Sequence, residues 1–109
     1  KDFYVNKLGL AILNEVYRDD RDSHKLDLEV GAHYQIELFS FPQAPQRPTY
    51  PEARGLRHLA FEVDDIETAV AELVSKHIDV EEIKEDFYTG KKFAFFFDPD
   101  GLPLELYEK

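Results

Sequence analysis

Arg57-His58-Leu59-Ala60-Phe61-Glu62-Val63, running on into Asp64-Asp65-Ile66-Glu67-Thr68-Ala69-Val70-Ala71-Glu72-Leu73-Val74, decides the fold, because the hydrophobic period changes inside it. Residues 57–63 read as a strand. From there Ile66, Ala69, Val70, Leu73 and Val74 recur at i, i+3, i+4, i+7 and i+8, the stripe of an amphipathic helix. Asp64 or Asp65 caps its start, since a short carboxylate accepts from the free amides of a first turn. Glu67 stands where a capping box would use it. His77 to Asp79 ends the helix. Downstream, Val80 to Lys84 reads as a short strand and Lys92 to Phe97 as a strongly aromatic one. Asp98-Pro99-Asp100-Gly101 is a turn, in which proline presets φ and glycine accepts a positive one. Pro103 to Glu108 is the last strand.

Upstream, Asp2 to Leu8 reads as the end of a helix stopped by Gly9. Leu10 to Arg18 is a strand and Asp19 to His24 a polar turn. Lys25 to Val30 alternates, with Leu26, Leu28 and Val30 on one face. His33 to Phe41 alternates again: Tyr34, Ile36 and Leu38 share one face, and His33, Gln35, Glu37 and Phe39 the other. Pro42, Pro45, Pro48 and Pro51 mark 42–55 as a linker unable to enter a sheet interior. The expected class is therefore α+β. Two β-α-β-β-β modules build a curved, mostly antiparallel sheet cleft in one domain over 1–109. Residues 1–41 form a first module lacking its opening strand, and 56–109 form the second.

A net charge of -10 argues against nucleic acid and anionic membranes, both of which need a basic surface. It leaves an anionic small molecule open, because a cleft can be locally basic. With no cysteine there is neither a disulfide nor a thiolate metal ligand, which fits a cytoplasmic protein. The longest apolar runs, Leu10 to Leu13 and Phe93 to Phe97, are too short to cross a bilayer.

Glu37, His58 and Glu105 are each expected mid-strand beside apolar neighbours: Ile36-Glu37-Leu38, His58-Leu59-Ala60 and Leu104-Glu105-Leu106. A carboxylate so placed faces water, a partner or a metal. Outward-facing polar residues are the ordinary outcome of alternation in an antiparallel sheet, and a single histidine is more often structural than ligating. Pattern alone leaves both readings open. Arg18, Arg21 and Lys25, and then Tyr88 and Lys91, are candidates to hold an anionic part of a substrate, against the plainer reading of solvated loop charges. Glu81 to Asp86 reads as a solvated acidic edge.

Ile36-Glu37-Leu38-Phe39, Gly55-Leu56-Arg57-His58-Leu59-Ala60-Phe61-Glu62-Val63-Asp64-Asp65, and Asp98-Pro99-Asp100-Gly101 leading to Leu104-Glu105-Leu106 together resemble the vicinal-oxygen-chelate (glyoxalase/bleomycin-resistance/dioxygenase) superfamily. Glu15-Val16-Tyr17-Arg18, Leu38-Phe39-Ser40-Phe41-Pro42 and Gly101 to Glu108 are similar to its YaeR-like, glyoxalase-related subgroup. The resemblance covers the whole chain. It implies that each module gives two metal ligands, one from its first strand and one from its last. His58 and Glu105 then come from the second module and Glu37 from the first, whose opening-strand ligand is expected upstream of Lys1.

Imidazole with carboxylate suits Zn, Ni, Mn, Co or Fe without selecting among them. The implied activity is a metal-dependent lyase or isomerase of the lactoylglutathione-lyase kind. It moves a proton on a small oxygenated substrate, with Glu105 as first choice of base and Glu37 as second. A ring-cleaving dioxygenase and a metal-free drug-binding protein of the bleomycin-resistance kind are the alternatives. A homodimer is the implied assembly.

Overall fold

The computed structural model describes all residues, Lys1–Lys109. They form two compact units, Lys1–Gln46 and Arg47–Lys109, divided inside the proline-rich segment. The architecture is α+β, with one antiparallel sheet and one mixed sheet.

In the first unit a helical turn over Phe3–Lys7 precedes strands β1 (Ala11–Arg18), β2 (Ser23–Val30) and β3 (Tyr34–Phe39). The turn is wider than the expected α-helix end: the Leu8 amide reaches the Phe3 carbonyl, five residues back. The strands make an antiparallel meander in the order β1-β2-β3. β2 begins at Ser23, where a polar turn was expected, because Arg18 pairs with Ser23 and Tyr17 with His24. The reversal is confined to Asp19–Arg21 and to Asp22, which takes a left-handed conformation and accepts a hydrogen bond from the Tyr17 hydroxyl. A bulge between Ile12 and Asn14 shifts the phase of β1. Across β2 and β3, Leu26 and Leu28 stand opposite Leu38 and Ile36 on one face. Ser23, Lys25, Asp27, Gln35, Glu37 and Phe39 lie on the other. Phe3, Tyr4, Leu26 and Leu28 are the unit's buried apolar residues.

The second unit contains β4 (Leu59–Val63), helix α1 (Ile66–Ser75), β5 (Lys84–Glu85), β6 (Lys92–Phe97) and β7 (Pro103–Glu108). The sheet order is β4-β7-β6-β5, parallel between β4 and β7 and antiparallel elsewhere. A parallel pair needs a crossover, and α1 lies in it. Ile66, Leu73, Ile78, Ala94, Phe96, Leu104 and Leu106 are buried, and α1 packs on β6 and β7. Val74, the last member of the expected stripe, is 55% exposed, because the helix ends one residue later.

Asp65 is the N-cap, accepting from the Thr68 amide at 3.3 Å. That puts Thr68, not Glu67, three residues in, so no capping box forms. The Ile66 amide donates instead to Glu108 Oε2 at 2.9 Å, and Glu67 pairs with Lys92 at 3.0 Å. The expected strand 80–84 reduces to a bridge between Val80 and Phe96 and the two-residue β5. An edge that short and charged resists further pairing.

Candidate functional site

The second sheet has two unlike faces. Leu59, Phe61, Leu104, Leu106, Ala94 and Phe96 share the helix-side face, as the register of β4, β7 and β6 requires. The opposite face carries Ala60, Glu62, Glu105, Tyr107, Phe93, Phe95 and Phe97. Glu105 is buried at 9% exposure, unusual for a carboxylate in the middle of a sheet. Its partner is His58, whose Nε2 lies 2.9 Å from Oε2. His58 sits one residue before β4 rather than mid-strand as expected, so its ring is free to lean across β7. The Phe95 ring meets it edge-on at 5.1 Å, and Phe93 continues the wall to Phe95 at 5.9 Å and to Tyr107 at 6.4 Å. A half-exposed imidazole and a buried carboxylate thus share one face with a wall of aromatic rings.

Beside this pair a polar knot fixes the β5–β6 hairpin. The Tyr107 hydroxyl donates to Asp86 Oδ2 at 2.8 Å and lies 2.6 Å from Thr89 Oγ1. The Tyr88 amide donates to Asp86 Oδ1 at 2.8 Å. Tyr107 above all, and then the Tyr88 amide, holds the Asp86 carboxyl below the usual carboxylate range. Asp86, expected as part of a solvated acidic edge, is therefore a structural acceptor. The hairpin tip beyond it leaves Phe87 and Tyr88 over nine-tenths exposed.

In the first unit Glu37 occupies β3, the last strand, as Glu105 occupies β7. It stands directly opposite Asp27 on β2, and both side chains share a face. Lys25 Nζ lies 3.2 Å from Glu37 Oε1 and 3.2 Å from Asp27 Oδ1. Gln35 Nε2 donates to the same Glu37 oxygen at 3.3 Å. Asp27, and after it Glu37, raises the Lys25 pKa above the ordinary lysine value, so the ammonium stays charged. Asp27 is itself buried. It was missed in the sequence although Leu26-Asp27-Leu28 carries the same apolar flanks that singled out Glu37.

Arg18 closes β1 with its guanidinium over Phe39 at 5.0 Å and near Phe41 at 6.0 Å, donating to Ser23 Oγ at 3.2 Å. Its Nε is buried without an acceptor. Arg21, in the turn after β1, and Lys91, in the hairpin before β6, are solvent-exposed, with no ion pair at either side chain. Of the four cationic candidates, Arg18 and Lys25 are held in place, Arg18 by Phe39 and Ser23 and Lys25 by Asp27 and Glu37.

The description of the Glyoxalase/Bleomycin resistance protein/Dioxygenase superfamily matches residues 1–106. The chain belongs to that superfamily. Among superfamily relatives, YwkD of Bacillus subtilis (strain 168) is 59% identical over 109 residues, covering 100% of this chain and 85% of YwkD. YaeR of Escherichia coli (strain K12) is 60% identical, covering 100% of this chain and 84% of YaeR. The crystal structure of the glyoxalase family protein from Enterococcus faecalis superposes with a TM-score of 0.94 at 53% identity, over 99% of this chain and 85% of that one. TnmS3, an antibiotic binding protein from Streptomyces sp. CB03234, gives a TM-score of 0.74 at 27% identity over 98% of this chain and 81% of its own. Leishmania major glyoxalase I gives 0.74 at 24%, over 98% and 74%, a likeness of fold alone. The same fold thus occurs in an enzyme and in an antibiotic binding protein.

One further acidic group lies in the second unit, where carboxylate oxygens of Asp65, Glu67 and Glu108 come within 4.8 Å of one another. Each already has a partner: the Thr68 amide, Lys92 and the Ile66 amide respectively. The cluster is accounted for by the helix N-terminus, where negative charge is favoured.

Proposed function

We propose that this chain is a divalent-metal-dependent, glyoxalase-like lyase or isomerase, acting by proton transfer on a small oxygenated substrate. The supporting observation is the buried Glu105 carboxylate with the His58 imidazole 2.9 Å away, against the Phe95 ring. Two donors each 2.0–2.2 Å from one ion stand roughly 3 Å apart, so this pair fits a shared ion with little movement. Imidazole with carboxylate also suits Zn, Ni, Mn, Co or Fe by donor chemistry. Glu37 is proposed as the first unit's ligand, and the assembly as a homodimer.

When bound, the metal supplies Lewis-acid polarisation of two adjacent substrate oxygens. The remaining work falls to side chains. Glu105, on one face with Phe95 and Phe93, takes a proton from one carbon of the substrate and returns it to the next. Glu37 is the second choice for that base. Arg18, pinned by Phe39, Phe41 and Ser23, holds an anionic substituent; Arg21 and Lys91, exposed and without an ion pair, are proposed as weaker contributors.

Metal content of the protein purified without chelator, measured by mass spectrometry, tests this. About one transition ion per site, lost in Glu105→Ala and in a Glu37→Ala, His58→Ala double variant that stay folded, is the expected result. Full metal content in the double variant overturns the ligand set. A second reading, a metal-free ligand-binding protein, draws on the aromatic wall, where Phe97 is 45% exposed, and on the likeness to TnmS3. It predicts no metal uptake, and quenching of tyrosine fluorescence by flat aromatic compounds.

A further inference from the structure

We infer that Lys25 is a built-in counter-ion for Glu37, and that Asp27 is the acceptor to which its ammonium retires when a divalent cation takes Glu37. The inference rests on the proposed metal reading and deepens it at the first unit's ligand. Three observations support it. Asp27 and Glu37 are directly opposite across β2 and β3, a placement that sets two carboxylates against each other. Lys25, two residues before Asp27 and on the same face, stands 3.2 Å from an oxygen of each. Asp27 is buried while Glu37 is 44% exposed at its side chain, so the inner carboxylate anchors the lysine and the outer one is available.

The electrostatics give the arrangement a direction. With no cation present, one ammonium offsets two carboxylates, and Glu37 is held by Lys25 and Gln35 through the same oxygen, Oε1. A divalent ion arriving at Glu37 repels the ammonium. Lys25 has somewhere to go without leaving the sheet surface, because Asp27 Oδ1 and Oδ2 already lie within 3.3 Å. Asp27 thereby lowers the cost of metal binding without touching the metal. It is a positioning residue, as the outer-shell partners of metal ligands commonly are.

The test is isothermal titration of the whole protein with Zn and, separately, Mn. Wild type, Asp27→Asn, Lys25→Met and the double variant are compared, with circular dichroism confirming that each is folded. Asp27→Asn leaves Lys25 with Glu37 as its only carboxylate, so affinity falls by about tenfold or more. Lys25→Met removes the competitor, so affinity holds or rises, and the double variant recovers from the Asp27→Asn loss. A merely structural network gives a different sign pattern, with Lys25→Met weakening binding as much as Asp27→Asn. That result overturns the inference, as does unchanged affinity in Asp27→Asn. Wild-type protein that binds neither ion overturns the metal reading and this inference together; wild-type binding with the wrong signs in the variants overturns this inference alone.

Discussion

Glu105 and Asp27 are buried carboxylates on two different sheets, the one beside His58 and the other beside Lys25. Glu37 and Glu105 stood out because a carboxylate between two leucine-type neighbours in a strand has no cheap place to go. Asp27 carries the same signal and turned out to be one of the three buried polar residues. The pairing of His58 with Glu105 was not legible from spacing, because the two are 47 residues apart and meet only through the parallel β4–β7 register. Asp86 was misread because a run of acids looks solvated until the tyrosine that binds one of them is known. That contact has a consequence for acid stability. A carboxyl whose pKa is lowered in the folded protein contributes stability above its unfolded value, and loses it as pH falls through the folded value. Tyr107→Phe is therefore expected to lower the thermal midpoint at pH 7. The gap to wild type should narrow as pH drops below about 4, where unfolded Asp is protonated. Unfolding scans at pH 7 and pH 3 check this, and a gap of constant size sinks it.

The elements were read more securely than their ends. Period 2 in β2 and β3, and the 3.6-residue stripe of α1, survive as strand faces and a buried helix side. β2 was placed two residues late because Ser23 and His24 are polar, and only their pairing with Arg18 and Tyr17 makes them strand. The close of α1 follows from backbone geometry. The Ile78 amide reaches Leu73 O at 3.1 Å and the His77 amide reaches Val74 O at 3.0 Å, with Ile78 and Leu73 both buried. This is a Schellman close. It puts His77 at φ 64, in the left-handed region where a side chain is strained. His77→Gly is expected to stabilise the protein by about 0.5–1 kcal/mol, after the unfolded-state entropy of glycine is subtracted. Urea denaturation measures it directly, and a lower midpoint with an unchanged slope would count against the strain argument.

For the molecule as a whole, charge and ligand set the stability. A net charge of -10 on 109 residues means self-repulsion at low salt, which ions screen within about 10 Å at 0.1 M. The thermal midpoint is expected to rise from 5 mM to about 150 mM sodium chloride; a fall would indicate that the seven lysine and arginine ion pairs outweigh the repulsion. A site-bound metal adds to this by mass action, about 2.7 kcal/mol at a hundredfold excess over its dissociation constant. Differential scanning calorimetry of wild type and Glu105→Ala, each with and without added Zn, separates the two contributions. Only the wild type should shift with the metal, and an equal shift in both would place the ion elsewhere.

The strand order β4-β7-β6-β5 has one more consequence, for biosynthesis. β7 lies between β4 and β6, yet the ribosome makes it after both. A nascent chain that has not released Pro103–Glu108 holds an unfilled slot in its sheet, with Ala94 and Phe96 lacking the Leu104 and Leu106 they later pair with. Folding of this unit is thus gated on the emergence of β7. Until then the nascent sheet carries an unpaired apolar edge, the kind of surface through which incompletely folded chains associate.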